Sequence, residues 1–207
     1  FSDEERFVSV AAALLHDTGR YEQLKRYNTF RDADSVDHAV FSHDIVREQG
    51  WLDQVEVPGR GVELKEAVLK AVLYHNRRDL PEGMDALTAA CAKTVRDADK
   101  LDIFRVLEQQ ARETDWRKDS RAFWNLKPEG APNPAIVRAI EEGRSTDYAD
   151  IRTLSDFILT EVGWMVNGLY FETSRRLCRE RRHGVFCREF LHQITDDPCV
   201  DRICDLV

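Results

Sequence analysis

In the stretch AAALLHDTGR (residues 11–20), an apolar, helix-forming run ends in the adjacent pair His16 and Asp17. Both side chains cost free energy to bury unless a partner satisfies them. At the last turn of a helix they can converge on a point beyond its end, and an imidazole with a carboxylate suits a divalent ion such as Mn, Fe, Co, Ni or Zn. A solvent-facing pair closing a helix is the plainer reading of the dipeptide alone. His38 shares a helical face with Phe41, Ser42 and Ile45, the face that a core claims. His43, five residues on, points roughly 140° away, which makes His38 the better ligand candidate and His43 a surface or supporting residue. The other reading of His38 is a satisfied core histidine. His75 ends a stripe of Val68, Ala71 and Val72. In RDADKLD (96–102), Asp97 is expected to point away from the stripe of Cys91, Val95 and Ala98, with Asp99 and Asp102 on or beside it. Carboxylates there need a partner, either a metal or the neighbouring Arg96 and Lys100.

These residues fall on four segments that must be held together. Ser2-Asp3-Glu4-Glu5 has the spacing of a capping box, so a first helix is expected from about residue 3 to 16, stopped by Thr18-Gly19. Residues 20–35 (RYEQLKRYNTFRDADS) show no clear periodicity and read as a functional loop with at most a short helix inside it. A second helix is expected from Ser35 to Gln49, ended by Gly50. Pro58-Gly59 and Gly61 mark a turn before a third, about 62 to 76, and Leu80-Pro81-Glu82-Gly83 a break before a fourth, about 85 to 113. Residues 117–150, punctuated by Pro128, Gly130, Pro132 and Pro134, read as connecting structure with a short helix near 134–142. A final long helix is expected from Ser155, with Ile158, Val162, Met165, Val166 and Leu169 inward. No strand-like alternation and no internal repeat appears, so the expected architecture is all-α, a single-domain helical bundle.

The chain has 207 residues, enough for a substantial core without a metal or disulfide to staple it. A formal net charge of -8 argues against a duplex nucleic-acid partner, and no apolar run is long enough to span a bilayer. The cysteines (Cys91, Cys178, Cys187, Cys199, Cys204) form no C-x-x-C pair, which points to a reducing, cytoplasmic setting. The sequence starts at Phe1 with no leader pattern, and the natural N-terminus is expected upstream. The arginine-rich run SRRLCRERRH (174–183) reads as a solvated or subunit-contacting face, leaving a homo-oligomer open, and Trp164 and Tyr170 read as core aromatics.

Taken in order, LLHDTGR, DHAVFSHD, LYHN and RDADKLD resemble the HD-domain superfamily of metal-dependent phosphohydrolases. The resemblance covers residues 1–108, taken as the HD metal-binding core. Residues 109–207, which include EVGWMVNGLYFETS, are similar to the C-terminal half of some stand-alone bacterial HD proteins and are taken as a helical extension packed on the same domain. The resemblance implies that His16 and Asp17 are the namesake metal ligands, Asp99 the distal carboxylate ligand, and His38 and His75 ligands of a second metal bridged by Asp17. One or two divalent ions are therefore implied, drawn from Mn, Fe, Co, Ni, Zn or Mg. The family's first histidine comes from a preceding helix, and since none precedes His16 it is expected upstream of Phe1.

The implied reaction is metal-assisted hydrolysis of a phosphate ester of a nucleotide or other small phosphorylated metabolite, by a phosphatase or phosphodiesterase. Asp17, His38 and His75 would be its catalytic residues, and Arg20, Arg31 and Lys100, adjacent in sequence to the ligands, would hold the anion. Lys25 reads at least as well as a surface charge. Thr18-Gly19-Arg20 stands where alarmone hydrolases carry an acidic pair, and the Gly-Tyr-Pro signature of cyclic-dinucleotide phosphodiesterases is absent. Two rivals use the same scaffold: a di-iron oxygenase and a non-catalytic nucleotide-sensing protein.

Overall fold

The computed structural model describes residues 1–55, 60–118, 123 and 125–207. The turn expected at Pro58-Gly59 lies outside the described residues, as do 119–122 and 124 of the expected connecting stretch. The chain divides into two compact units, residues 1–99 and 100–207.

In the first unit the capping box closes as its spacing requires. Ser2 Oγ accepts from the Glu5 amide and Glu5 accepts from the Ser2 amide, starting helix α1 (Asp3–Leu15) with acidic side chains at the positive end of its dipole. Helix α2 (Gly19–Tyr27) follows after a single turn, then α3 (His38–Glu48), α4 (Gly61–Tyr74) and α5 (Ala86–Glu113), whose first half belongs to this unit. Helix α1 packs on α4, α4 on α3, and α3 on α2. Val8, Ala12, Val46, Val68, Val72 and Cys91 are among the side chains of the shared core.

The expected loop at residues 20–35 is largely helix, because α2 spans Gly19–Tyr27 and a 3-10 turn covers Asp32–Asp34. Its buried residues are Gly19 and Gln23, so the inward face carries no apolar period to read. Gln23 is held instead by polar contacts, donating to Asp32 Oδ1 (3.0 Å), Ser35 Oγ (2.9 Å) and the Val36 carbonyl (3.1 Å). Gly19 permits the close approach of α2 to α3, since a Cβ there would lie 2.7 Å from the Ser42 nitrogen. Helix α3 starts at His38 rather than Ser35 because Asp37 is the cap, accepting from the amides of Ala39 and Val40.

The second unit contains the rest of α5 and helices α6 (Pro134–Glu141), α7 (Leu154–Gly163), α8 (Glu172–Glu180), α9 (His183–Leu191) and α10 (Cys199–Cys204). Every residue of α7 is buried, and the helix packs on α6, α9 and α10. The expected long final helix is therefore broken. Helix α7 runs into a π-helical turn at Trp164–Gly168, and the poor helix formers Asn167 and Gly168 let the chain leave in an extended conformation at Leu169. In that extended stretch Leu169 turns inward and Tyr170 outward, so Tyr170 is exposed where a core aromatic was expected, while Trp164 is buried as expected. The arginine run forms an ion-paired face on α8, with Arg175 and Arg179 on Glu172 and Arg176 on Glu180. No strand occurs among the described residues, and the fold is all-α. None of their helices is long and apolar enough to cross a membrane.

Candidate metal centre

His16, His38 and His75 each sit where a helix begins or ends, whereas His43 lies inside α3. His16 follows the last turn of α1 and its Nδ1 donates to the Ala13 carbonyl at 2.8 Å. His75 follows α4 in the same way, with Nδ1 2.7 Å from the Val72 carbonyl. His38 opens α3, and its Nδ1 donates to Asp32 Oδ2 at 2.5 Å. A ring whose Nδ1 holds the proton presents a lone pair at Nε2, the form in which a histidine binds a metal.

The three Nε2 atoms face the carboxylates of Asp17 and Asp99. Asp17 Oδ1 lies 3.5 Å from His38 Nε2 and 3.7 Å from His75 Nε2. His16 Nε2 lies 3.6 Å from Asp99 Oδ1 and 3.7 Å from Asp17 Oδ2. The donors form two groups that share His75: His16, His75 and Asp99, and Asp17, His38 and His75, each within 4.8 Å. The resemblance assigned His75 to the second metal alone, whereas the geometry places it in both groups.

Two features test whether these residues fit a cation. Asp17 Oδ1 is buried yet accepts no hydrogen bond, which is costly for a carboxylate oxygen. His38 Nε2 and His75 Nε2 are 3.0 Å apart, so two lone pairs face each other unless a proton or a cation stands between them. A divalent ion satisfies both demands at once, and the residues fit it.

The electrostatics follow from burial and carboxylates. Burial lowers the His75 pKa to about 4, helped by the charges of His38 and His16 and opposed by Asp99, which keeps the ring neutral. For His16 the downward push of burial is outweighed by the hydrogen bond to Asp99 and the charges of Asp17 and Asp99, and the pKa rises to about 9. Burial pushes Asp32 upward, but its hydrogen bond to His38, that residue's charge and the Gln23 amide hold it below the usual carboxylate value.

The HD domain family model matches residues 2–103, a segment that contains every residue of this cluster. The chain belongs to the HD-domain superfamily. No solved structure matches it. HD domains are typically all-α, metal-dependent hydrolases, and the HD segment here carries His/Asp groups able to hold a divalent ion.

Around the HD cluster stand residues that the sequence did not single out. Asp32 fixes His38, and its only signal was a short acidic spacing in RDADS. Arg96 was read as a local partner for the aspartates of α5. It is buried and donates to the carbonyls of Tyr74 (3.0 Å), His75 (3.3 Å), Arg77 and Arg78 (3.0 Å), which ties down the end of α4 that carries His75. Asn76 donates to Asp37 Oδ1 at 2.8 Å and joins the end of α4 to the start of α3. The stripe on α5 also differs from expectation. Ala98 is exposed and Asp97 buried, because the inward face runs through Thr88, Cys91, Ala92, Val95 and Arg96. Asp102 is exposed and paired to Arg105 at 2.9 Å.

Of the proposed anion-binding residues, Arg20 reaches the HD cluster. Its Nη2 lies 3.2 Å from His38 Nε2 and its Nε 3.4 Å from Asp17 Oδ1, while Nη1 is anchored on the Phe30 carbonyl at 2.6 Å. Arg31 is turned to Asp34 (3.1 Å) and Lys25 to Glu22 (3.6 Å). Lys100 opens the second unit, its ammonium 5.9 Å over the Trp164 ring. His43, inside α3, pairs with its neighbour Asp44 at 2.8 Å.

Proposed function

We propose that the HD segment is a metal-dependent phosphohydrolase acting on the phosphate ester of a nucleotide or another small phosphorylated metabolite. The observation that carries this reading is the buried Asp17 oxygen that accepts no hydrogen bond while two imidazole Nε2 atoms stand within 3.7 Å of it. His16, Asp17, His38, His75 and Asp99 would hold one or two divalent ions. When bound, such an ion supplies Lewis acidity, lowering the pKa of water and offsetting charge on phosphoryl oxygens.

The protein's own groups do the remaining work. Asp32 keeps the proton of His38 on Nδ1, so that Nε2 stays a donor to the cation. Arg20 Nη2 loses its present acceptor once His38 Nε2 is engaged, and its N–H is then available to a phosphoryl oxygen. Its other end stays fixed on the Phe30 carbonyl. A guanidinium positioned in this way suits an anion. Asp17 is partly open to solvent, which leaves room for a small substrate. Arg31, turned to Asp34, and Lys100, set over Trp164, are not carried into this reading.

The test is turnover by the full chain, freed of metal and reloaded with Mn, Fe, Co, Ni, Zn or Mg, on a panel of nucleotides and sugar phosphates. Hydrolysis that requires metal and is lost in Asp17→Ala is the expected result. No hydrolysis with any metal, together with a coupled di-iron spectrum in protein prepared without oxygen, would replace this reading with the oxygenase.

A further inference from the structure

In the second unit, Glu161, His183 and Cys187 bring a carboxylate oxygen, an imidazole nitrogen and a sulfur within 4.8 Å of one another, far along the chain from the HD cluster. We propose that these residues form a second, structural metal site for a thiophilic divalent ion of the zinc class.

Three independent features place the donors. His183 and Cys187 stand four residues apart on α9, which puts both on one face of the helix. Arg182 takes a left-handed φ of 56°, an uncommon conformation for a residue with a Cβ, and the sharp turn between α8 and α9 delivers His183 inward. Glu161 comes from the last turn of α7, the helix buried on every side, and is itself 0% exposed.

Glu161 is only half satisfied. Its Oε2 lies 3.1 Å from His183 Nε2, but Oε1 has no hydrogen-bond partner among the described residues. A fully enclosed carboxylate oxygen without a partner is costly, and a cation would remove that cost. The donor set is also discriminating: thiolate, imidazole and carboxylate together select zinc and its relatives over magnesium or calcium. A tetrahedral ion spaces its donors about 3.5 Å apart, inside the 4.8 Å limit that encloses these three.

The surroundings complete the pattern. Glu108 Oε2 lies 3.8 Å from His183 Nδ1, on the side of the ring away from Glu161, where a carboxylate commonly steadies a ligating histidine. The ring also stacks on Phe104 at 4.5 Å, which fixes its plane. Burial raises the Cys187 thiol well above its usual value, and the nearby Glu161, Cys204, Glu108 and Cys178 raise it further. Burial likewise raises the Glu161 carboxyl. A thiol gives up its proton when it binds a cation, so metal binding at Cys187 would release one. His183 and Cys178 line a cavity of about 340 Å³, ample for an entering ion, and Arg105 on the same wall is already paired to Asp102 at 2.9 Å.

Cobalt distinguishes this site from the HD cluster, which offers no sulfur. Full-length protein stripped with a chelator and reloaded with Co²⁺ alone is expected to show sulfur-to-cobalt charge-transfer absorption in the near ultraviolet. The band should persist in Asp17→Ala, vanish in Cys187→Ser and remain in Cys199→Ser. Because Cys187→Ser could fail to fold, Glu161→Gln provides a second arm: about tenfold weaker Co²⁺ binding at the sulfur band, with unchanged circular dichroism. The proposal is overturned if folded wild-type protein loaded with Co²⁺ shows no such band, or if the band survives Cys187→Ser. Either result would leave Glu161 and His183 as a neutral hydrogen-bonded pair.

Discussion

The Asp17 carboxylate of the first unit is 44% exposed, whereas the Glu161 carboxylate of the second is fully enclosed. Both units gather histidine and carboxylate from separate helices, yet the first leaves its cluster open to small molecules and the second encloses it. Catalytic metal sites keep a position open for water or substrate, and structural ones close around their ion. On the two proposals above, the difference in exposure goes with two uses, chemistry at the open cluster of the first unit and an enclosed ion in the second.

The sharpest way to break this comparison is at Asp17. Asp17→Ala removes the carboxylate shared between the donors and is expected to lower turnover by about a thousandfold or more, with loss of bound metal at the HD cluster. Circular dichroism and the denaturation midpoint should stay close to wild type, because a partly exposed side chain at a helix end contributes little to the core. Retained hydrolysis across the phosphate-ester panel would remove the first unit from the catalytic side of the comparison.

Leu191→Ala asks the reverse question. Leu191 lies in α9 and is completely buried in the second unit's core. Its truncation is expected to destabilise the protein by about 2–5 kcal/mol, read in urea denaturation. Turnover per folded molecule should be unchanged. A collapse of turnover in protein still fully folded would mean that the second unit takes part in the chemistry.

The sequence exposed the first cluster far better than the second, and the reason is local. His16 and Asp17 are adjacent, His16 and His75 each close an apolar helical pattern, and His38 shares the core-facing side of the helical pattern that follows it. The extent of helix α2, allowed for only as a short helix within a loop, was hidden because its inward face is Gly19 and Gln23, and polar burial leaves no hydrophobic period. The phase of α5 was misread because alanine is nearly neutral between core and solvent, so Ala98 served as a false marker. The break after α7 is signalled only by Asn167-Gly168, which the apolar period continuing through Leu169 overrides. Glu161 lies inside an apolar helix and His183 at the end of an arginine-rich run, so their meeting became visible only when α7 and α9 packed together.

Within the first unit, Asp32→Asn tests whether the cluster is built through its supporting groups. The amide can no longer hold the His38 proton as a carboxylate does. Metal affinity is expected to fall about 10- to 100-fold by chelator competition, with the fold intact. Unchanged affinity would show that His38 orients itself without Asp32, or that it is not a ligand.

The smallest expected effects separate two arginines that lie close together in sequence. Arg20 touches His38 and Asp17, whereas Arg31 is ion-paired to Asp34 on an exposed stretch. Arg20→Ala removes a guanidinium that touches His38 and Asp17, and a rise in KM of about tenfold is expected, in line with a lost charge-assisted hydrogen bond. Arg31→Ala breaks a pair open to solvent and should change neither KM nor stability beyond about 0.5 kcal/mol. Measuring both variants on one substrate turns their ratio into the test: a KM effect at Arg31 as large as that at Arg20 would mean that the substrate reaches beyond the cluster to the 3-10 turn. An effect at neither would remove Arg20 from the anion site and leave binding to the metal ligands alone.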